Sequence, residues 1–206
     1  MKPSIKAWIL TAVIPFCLGA PEPKTELPEL SLPIQCTIAL DCVIQPYPDR
    51  DAGPDAKDYT CGSQTYQSHT GTDFRLKDLL AQRHGVAVLA AAPGRILRVR
   101  DGIRDVSIRV GRAADVAGRE CGNGIVVDNG TGLTTQYCHL ALNSILVRNG
   151  DFVQRGQAIG QVGLSGQTEY PHLHFTVRVN NALIDPFRPS QNQPTQCGSS
   201  ETFWDA

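Results

Sequence analysis

The chain has no surplus of charge of either sign. Its 19 lysine and arginine residues are balanced by 20 aspartate and glutamate residues, which gives a formal net charge of -1. Binding to a phosphate backbone or to an anionic bilayer needs an excess of basic side chains. The balance therefore excludes the strongly basic class of proteins, and we expect no nucleic-acid partner.

Helical patterning and aromatic residues are also scarce. Only KDLLAQRH, residues 77–84, has the spacing of a helix, and aromatic residues make up 6% of the chain. These scarcities exclude a helical bundle and a long coiled coil. Short β-type runs punctuated by glycine fill residues 68–187 instead. They predict a mostly β fold of one moderate domain, built as an antiparallel sheet or a small barrel-like sandwich.

Long apolar runs are absent except near the N-terminus. Residues 7–20 are mostly apolar and follow Lys2 and Lys6, a pattern that is short for a spanning helix and typical of a secretory signal. We therefore predict a signal peptide over residues 1–20, export to the periplasm, the cell envelope or the extracellular space, and no transmembrane segment once it is removed. Four prolines in residues 21–35 predict an extended linker.

Six of the seven cysteines follow the predicted signal. An even number of cysteines behind an export signal indicates disulfides formed in an oxidising compartment. The β-type runs on either side of Asn129–Gly130 predict a hairpin, and a register symmetric about that bond places Cys121 opposite Cys138, so we predict a disulfide between them. The other four stay open, although one arrangement combines a local loop with a bridge from the tail to the body: Cys36–Cys42 and Cys61–Cys197.

Two histidines alternate with apolar residues in PHLHFTVRV, residues 171–179. Successive side chains of a strand point to opposite faces, so one face is apolar and packs, while the other carries His172 and His174. The i, i+2 spacing lets both imidazoles point at one metal ion or reactive centre. Taken alone, the HxH pattern fits two surface histidines equally well.

His69 and Asp73 form a second cluster, in HTGTD. Thr-Gly-Thr is poor helix material, so we expect a loop that enters a strand, with both side chains on one face. Imidazole and carboxylate are ligands that zinc accepts, and a catalytic zinc needs three protein ligands and a water. The two clusters offer four donors, which leaves one for acid–base chemistry. His139, in YCHL at the end of the hairpin, is a further free imidazole, and no HExxH motif supplies a glutamate base.

The ordered motifs SHTGTDF, GNGIVVDNG, YCHL, VQRGQAIGQVG and PHLHF resemble those of the lysostaphin/LytM-type zinc endopeptidases. The resemblance implies an antiparallel β core with an open groove over the sheet, one Zn2+ per chain, and peptidoglycan peptides as substrate. It implies His69, Asp73 and His174 as zinc ligands, and His139 and His172 as the catalytic histidines. The chain departs from the pattern in the insertion RLKDLLAQRHG, which follows the first motif and alters a wall of the groove.

The resemblance also divides the chain. It implies a catalytic domain over residues 68–188, preceded by a cysteine-containing extension over 36–67 and followed by a tail over 189–206. Three functions remain: an exported zinc endopeptidase that cuts peptidoglycan peptides, a non-catalytic activator of another wall hydrolase, and a secreted peptidase for a protein substrate. The presence of all five site residues favours the first, because a regulator would be expected to have lost ligands.

Overall fold

The structure is a computed structural model that describes residues 27–111, 113–187, 197–198 and 202–205. The predicted signal peptide lies outside the described residues, as do the first six residues of the predicted linker. In the described part of the chain, no helix is long and apolar enough to cross a membrane.

Antiparallel strands dominate the fold, as the sequence predicts. The elements of the described residues are ten strands, a six-residue helix and a short 3-10 helix, with these bounds: β1 Cys42–Ile44, β2 Thr72–Leu76, α1 Leu79–His84, β3 Ala87–Leu89, β4 Gly94–Arg100, the 3-10 helix Ala113–Val116, β5 Asn123–Gly130, β6 Leu133–Leu140, β7 Phe152–Val153, β8 Ala158–Gln161, β9 His172–Val179 and β10 Ala182–Ile184. The main sheet has the strand order β1-β2-β9-β6-β5-β4-β7, with β10 paired to β9, and a two-stranded sheet is formed by β3 and β8.

The core lies on one face of the main sheet. Alternate residues of its strands, such as Phe74, Tyr137 and Phe175, are fully buried and form one hydrophobic cluster with Val88 and Ile159 of the smaller sheet. Full burial of a large apolar side chain contributes roughly 1.5–3 kcal/mol. This apolar face fixes which side chains the strands present on the other face, where the polar residues lie.

The register predicted for the hairpin is wrong. Val126 pairs with Gln136, rather than with Leu133 as symmetry about Asn129–Gly130 requires. The chain reverses instead at Thr131–Gly132, where both residues have positive φ, 50° and 78°. The segment DNGTG offers several turn-forming pairs, and the pair that extends the β5–β6 ladder is used.

The Cys121–Cys138 disulfide is nevertheless present, with a Cα–Cα distance of 4.8 Å. Cys121 precedes β5 and does not lie opposite Cys138 in the ladder. Gly122, at φ 65°, turns the chain back, and the Cys121 carbonyl accepts a hydrogen bond from the N–H of His139 at 2.8 Å. The other two bridges of the described residues link Cys36 to Cys42 and Cys61 to Cys197.

Segments at both ends pack onto this core. Residues 27–35, within the predicted linker, contact the core through Leu30 and Ile34, which are buried at 0% and 2% exposure. Near the C-terminus, Trp204 packs against the rings of Phe74 and Phe175. Leu30 and Trp204 form a β-bridge with each other, so both segments belong to the folded body.

Candidate metal centre

Two of the predicted ligands lie on neighbouring antiparallel strands. Asp73 of β2 is directly opposite His174 of β9, and the adjacent residues Phe74 and Phe175 are fully buried. Because strand side chains alternate, burial of the two phenylalanines turns Asp73 and His174 to the polar face. His172, two residues earlier on β9, shares that face.

His69 is held by a loop. The preceding Ser68 has a φ of 63°, and its backbone N–H donates to the Asp49 carboxylate at 2.8 Å. The N–H of Asp49 in turn donates to the His69 carbonyl at 2.8 Å. Nδ1 of His69 lies 2.8 Å from the carbonyl oxygen of Tyr47. Since a carbonyl oxygen only accepts, Nδ1 carries a proton, and Nε2 is the ring nitrogen that faces the site.

The donor atoms of His69, Asp73 and His174 converge. Oδ1 of Asp73 lies 3.2 Å from Nε2 of His69 and 2.7 Å from Nδ1 of His174, and those two nitrogens are 3.2 Å apart. The far nitrogen of His174, Nε2, lies 3.0 Å from the hydroxyl of Thr176, which orients the ring. All three donor atoms lie within 4.8 Å of one another, so the predicted ligands form a cluster that could hold a metal ion.

Burial and hydrogen bonding act in opposite directions on this cluster. Burial alone would raise the pKa of Asp73, but hydrogen bonds from His174 and His69 outweigh it and hold that pKa far below its ordinary value. Burial alone would lower the pKa of His69, but its hydrogen bond to Asp73 and the charge of that carboxylate raise it. Asp73 is therefore the anionic centre of the site.

His139 reaches the site through irregular backbone. Alternation along β6 would place it on the face opposite to Cys138, which pairs with His174 of β9. Its φ is 63° instead, in the left-handed region that costs a non-glycine residue roughly 1–2 kcal/mol. With this backbone, the His139 ring centre lies 4.6 Å from that of His172 and 6.0 Å from that of His174.

Backbone carbonyls orient the two predicted catalytic histidines. Nδ1 of His139 lies 2.8 Å from the carbonyl of Ser165, and Nδ1 of His172 lies 2.8 Å from that of Tyr170. Both rings thus keep Nε2 for the site, and Nε2 of His172 is 3.4 Å from Oδ2 of Asp73. Burial lowers the pKa of both rings, and for His139 the neighbouring histidines lower it further. Both are neutral bases at neutral pH.

An open groove of about 630 Å³ adjoins the cluster. Its lining includes residues 63–66, residues 167–170 and four of the five site residues, namely Asp73, His139, His172 and His174. The ring of Tyr66 lies 4.5 Å from that of His69, and burial, followed by the charge of Asp73, raises the pKa of Tyr66 to about 12. Tyr66 therefore presents a protonated phenol to the groove.

Sequence reasoning missed the groups that orient the imidazoles. The carbonyls of Tyr47, Ser165 and Tyr170 belong to the backbone, and no side-chain pattern indicates where a backbone carbonyl will point. All five predicted site residues do come together. His84, which has no partner pattern in the sequence, is exposed on α1 and does not line the groove.

Residues 67–186 match the profile described as Peptidase family M23, a match that covers more than half of the chain. The chain belongs to peptidase family M23. The resemblance to lysostaphin/LytM-type endopeptidases drawn from the sequence motifs is thereby confirmed, and with it the mostly β antiparallel fold class.

Individual relatives are similar to this M23 peptidase over part of its length. The peptidoglycan DD-endopeptidase ShyB of Vibrio cholerae is 32% identical over 120 residues, which are 58% of this chain and 22% of ShyB. The chain therefore spans about a fifth of that relative's length. The catalytic domain of lysostaphin from Staphylococcus simulans is 26% identical, with a TM-score of 0.42 over 69% of this chain and 84% of that domain.

A further likeness concerns the fold alone. A chain of the SpoIIQ–SpoIIIAH pore-forming complex superposes with a TM-score of 0.53 at 19% identity, over 78% of this chain and 90% of its own length. Because a fold can carry unrelated functions, the function of this M23 member has to be argued from its site.

Proposed function

We propose that this protein is an exported zinc-dependent endopeptidase that hydrolyses peptide bonds in peptidoglycan stem peptides or cross-links. The observation that carries the proposal is the convergence of three donor atoms within 4.8 Å, from His69, Asp73 and His174, beside the rings of His139 and His172. A protein that only activates another hydrolase would need none of these groups in this arrangement.

His69, Asp73 and His174 would hold the zinc ion, one per chain. Two imidazole nitrogens and one carboxylate oxygen match the donor set of a catalytic zinc site, which keeps a further position open for water or substrate. The low pKa of Asp73 keeps a negative charge in the site for the cation. When bound, zinc lowers the pKa of a coordinated water toward about 7 and polarises a substrate carbonyl.

His139 and His172 would move the proton. Each ring donates its Nδ1–H to a backbone carbonyl, so the unprotonated Nε2 can accept a proton from the attacking water and return it to the leaving amine. Their lowered pKa values favour the neutral form that acts as a base. Because the two ring centres are 4.6 Å apart, both imidazoles can serve one reacting centre.

Peptidoglycan peptides and an envelope location are proposed on separate grounds. ShyB, the relative that is 32% identical over 58% of this chain, is named a peptidoglycan DD-endopeptidase, and an open groove of about 630 Å³ adjoins the site. The three disulfides suit an oxidising compartment and agree with the signal peptide predicted over residues 1–20. We assign the catalysis to residues 68–188.

Purified sacculi provide the test. The zinc-loaded protein should convert cross-linked muropeptides to uncross-linked ones while the glycan strands stay intact, as measured by mass spectrometry of the soluble fragments. Chelation should abolish the reaction. His139→Ala or His172→Ala should slow it by roughly 10²–10⁴-fold while zinc stays bound, since each removes one acid–base group. His84→Ala, on the exposed helix, is the matched control and should keep full activity.

Two other outcomes would overturn the proposal. If the protein leaves sacculi untouched but accelerates a separate wall amidase, it is an activator. If it cuts a secreted protein and no peptidoglycan, the substrate is wrong although the peptidase chemistry stands.

A further inference from the structure

Arg75 lies on the polar face of the sheet, in the lining of the groove. It belongs to β2, two residues after Asp73, and its Cα pairs with that of His172 on β9. Because a strand rises about 3.3–3.4 Å per residue and alternates its faces, Arg75 and Asp73 point to the same side, about 7 Å apart along the strand. An arginine therefore stands beside the proposed reaction centre.

Neutral groups hold this arginine in place. One guanidinium nitrogen, Nη1, donates to the side-chain oxygen of Gln45 at 3.0 Å, and the guanidinium carbon lies 4.6 Å from the centre of the Tyr170 ring. The ring contact and one hydrogen bond hold the guanidinium in place, and most of its five N–H donors have no hydrogen-bond partner among the described residues.

A second arginine contacts the Tyr170 ring, but unlike Arg75 it is paired with a carboxylate. Arg109 lies 4.7 Å from the centre of the Tyr170 ring, on which Arg75 also stacks. Arg109, however, donates from Nε and Nη2 to one carboxylate oxygen of Glu169, at 2.8 and 2.6 Å, which neutralises its charge. Among the ion pairs of the described residues, none includes Arg75, although it is half-buried in a groove that also contains Glu169.

We propose that Arg75 is the subsite for a free carboxylate carried by the substrate peptide one or two residues from the scissile bond. The planar guanidinium can bind a carboxylate through two parallel hydrogen bonds, and such pairs are the strong, geometrically specific ones. An extended peptide advances about 3.3–3.6 Å per residue, and the backbone positions of Arg75 and Asp73 are about 7 Å apart along β2, so a carboxylate one or two residues from the scissile bond matches this spacing. This inference rests on the proposed function, because it assumes that a peptide occupies the groove.

Matched peptides provide the test. A cross-linked stem-peptide dimer with all its carboxylates free is compared with versions in which one carboxylate at a time is a carboxamide. Amidation of one particular carboxylate should lower the kcat/KM of the wild type by roughly 10–100-fold relative to the dimer with all carboxylates free. This is the range expected for the loss of a charge-assisted hydrogen bond. Arg75→Gln should cleave the free and the amidated forms at rates within about twofold of each other, since a glutamine does not discriminate by charge.

The controls separate a subsite from a change in net charge or folding. Arg83→Gln removes one positive charge from the exposed face of α1 and should keep the wild-type preference. Arg75→Lys keeps the charge without the planar fork, so part of the preference should return. Thermal unfolding of each variant checks that the groove is folded. Equal cleavage of all the peptides by the wild type, or an unchanged preference in Arg75→Gln, would overturn the subsite.

Failure of the proposed function has a different signature. A wild type loaded with zinc that cuts no dimer at all contradicts the endopeptidase activity. Calorimetric titration of the same peptides still tests Arg75 in that case, because binding needs no turnover. Tighter binding of the free acid than of the amide by the wild type, lost in Arg75→Gln, supports the subsite, and equal binding contradicts it.

Discussion

The five site residues fall into two groups with different scaffolds. Asp73, His172 and His174 sit on regular, adjacent strands, and their orientation follows from the burial of the residues between them. His69 and His139 depend on irregular backbone: His69 follows a residue with positive φ, and His139 itself has a φ of 63°. Strand alternation therefore positions one group, whereas tertiary contacts with other segments position the other.

Different weaknesses follow from the two scaffolds. Asp73, His172 and His174, the strand group, are held by the same strands that form the core. Local changes outside β2 and β9 should therefore leave them in place. His69 and His139, the loop group, rely on contacts from other segments, among them the Asp49 carboxylate behind His69 and the Cys121–Cys138 bridge behind His139.

The largest effect should come from Asp73, the anionic member of the strand group. Asp73→Asn keeps the shape and removes the charge that holds three imidazoles around it. Elemental analysis should find the zinc content falling from about one per chain to near zero, and the activity should fall by roughly 10³-fold or more, because a bound metal ion supplies several kcal/mol of transition-state stabilisation. His84→Ala should retain its zinc. Full retention of zinc in folded Asp73→Asn would refute the ligand set.

Removal of the Cys121–Cys138 bridge should affect stability and the loop group together. The double substitution Cys121→Ser and Cys138→Ser should lower the free energy of unfolding by about 3 kcal/mol in the chain-entropy model. The activity should fall as well, because the Cys121 carbonyl accepts the N–H of His139. Denaturant titration and sacculus digestion measure the two effects.

The control for that prediction is the bridge between Cys36 and Cys42, which lies outside the groove lining. Its double serine variant should also be less stable, yet the folded protein should keep its kcat. Equal activity losses for the two variants would mean that the Cys121–Cys138 bridge acts only on global stability.

Removal of the Asp49 carboxylate should lower both the stability of the protein and its zinc affinity, the latter only through the loop that holds His69. Its carboxylate accepts from the N–H groups of Asp51, Lys57 and Ser68, so Asp49→Ala leaves these donors without their partner. We expect a loss of roughly 1–3 kcal/mol in unfolding free energy and roughly 10–100-fold weaker zinc binding, the usual effect of losing an outer support of a ligand.

Asp55, exposed in the same loop, offers the matched control. Zinc titration against a competing chelator should give the wild-type affinity for Asp55→Ala. If Asp49→Ala also binds zinc as the wild type does, the loop holds His69 without this carboxylate.

The same contrast explains what the sequence could predict. The alternation in PHLHFTVRV determines which face His172 and His174 share, because it requires only local backbone geometry. The hairpin register depends on which turn pair of DNGTG reverses the chain, and several have suitable chemistry. The orientation of His139 depends on a positive φ that the pattern YCHL does not reveal. Motif resemblance supplied His139 where periodicity alone would place it on the opposite face.

The smallest expected effect comes from the difference in backbone conformation between His139 and His172. At His139, glycine should be more stable than alanine, because it removes a left-handed cost of roughly 1–2 kcal/mol, while its greater unfolded-state entropy opposes this by roughly 0.5–1 kcal/mol. At His172, on regular strand, alanine should be more stable than glycine by roughly 0.5–1 kcal/mol. Both substitutions at each position remove the same imidazole, so the comparison within a position is independent of catalysis and of metal. Denaturant unfolding of the four variants measures it. The same order at both positions would show that His139 carries no backbone strain, and the distinction between the two scaffolds would then rest on the supporting contacts alone.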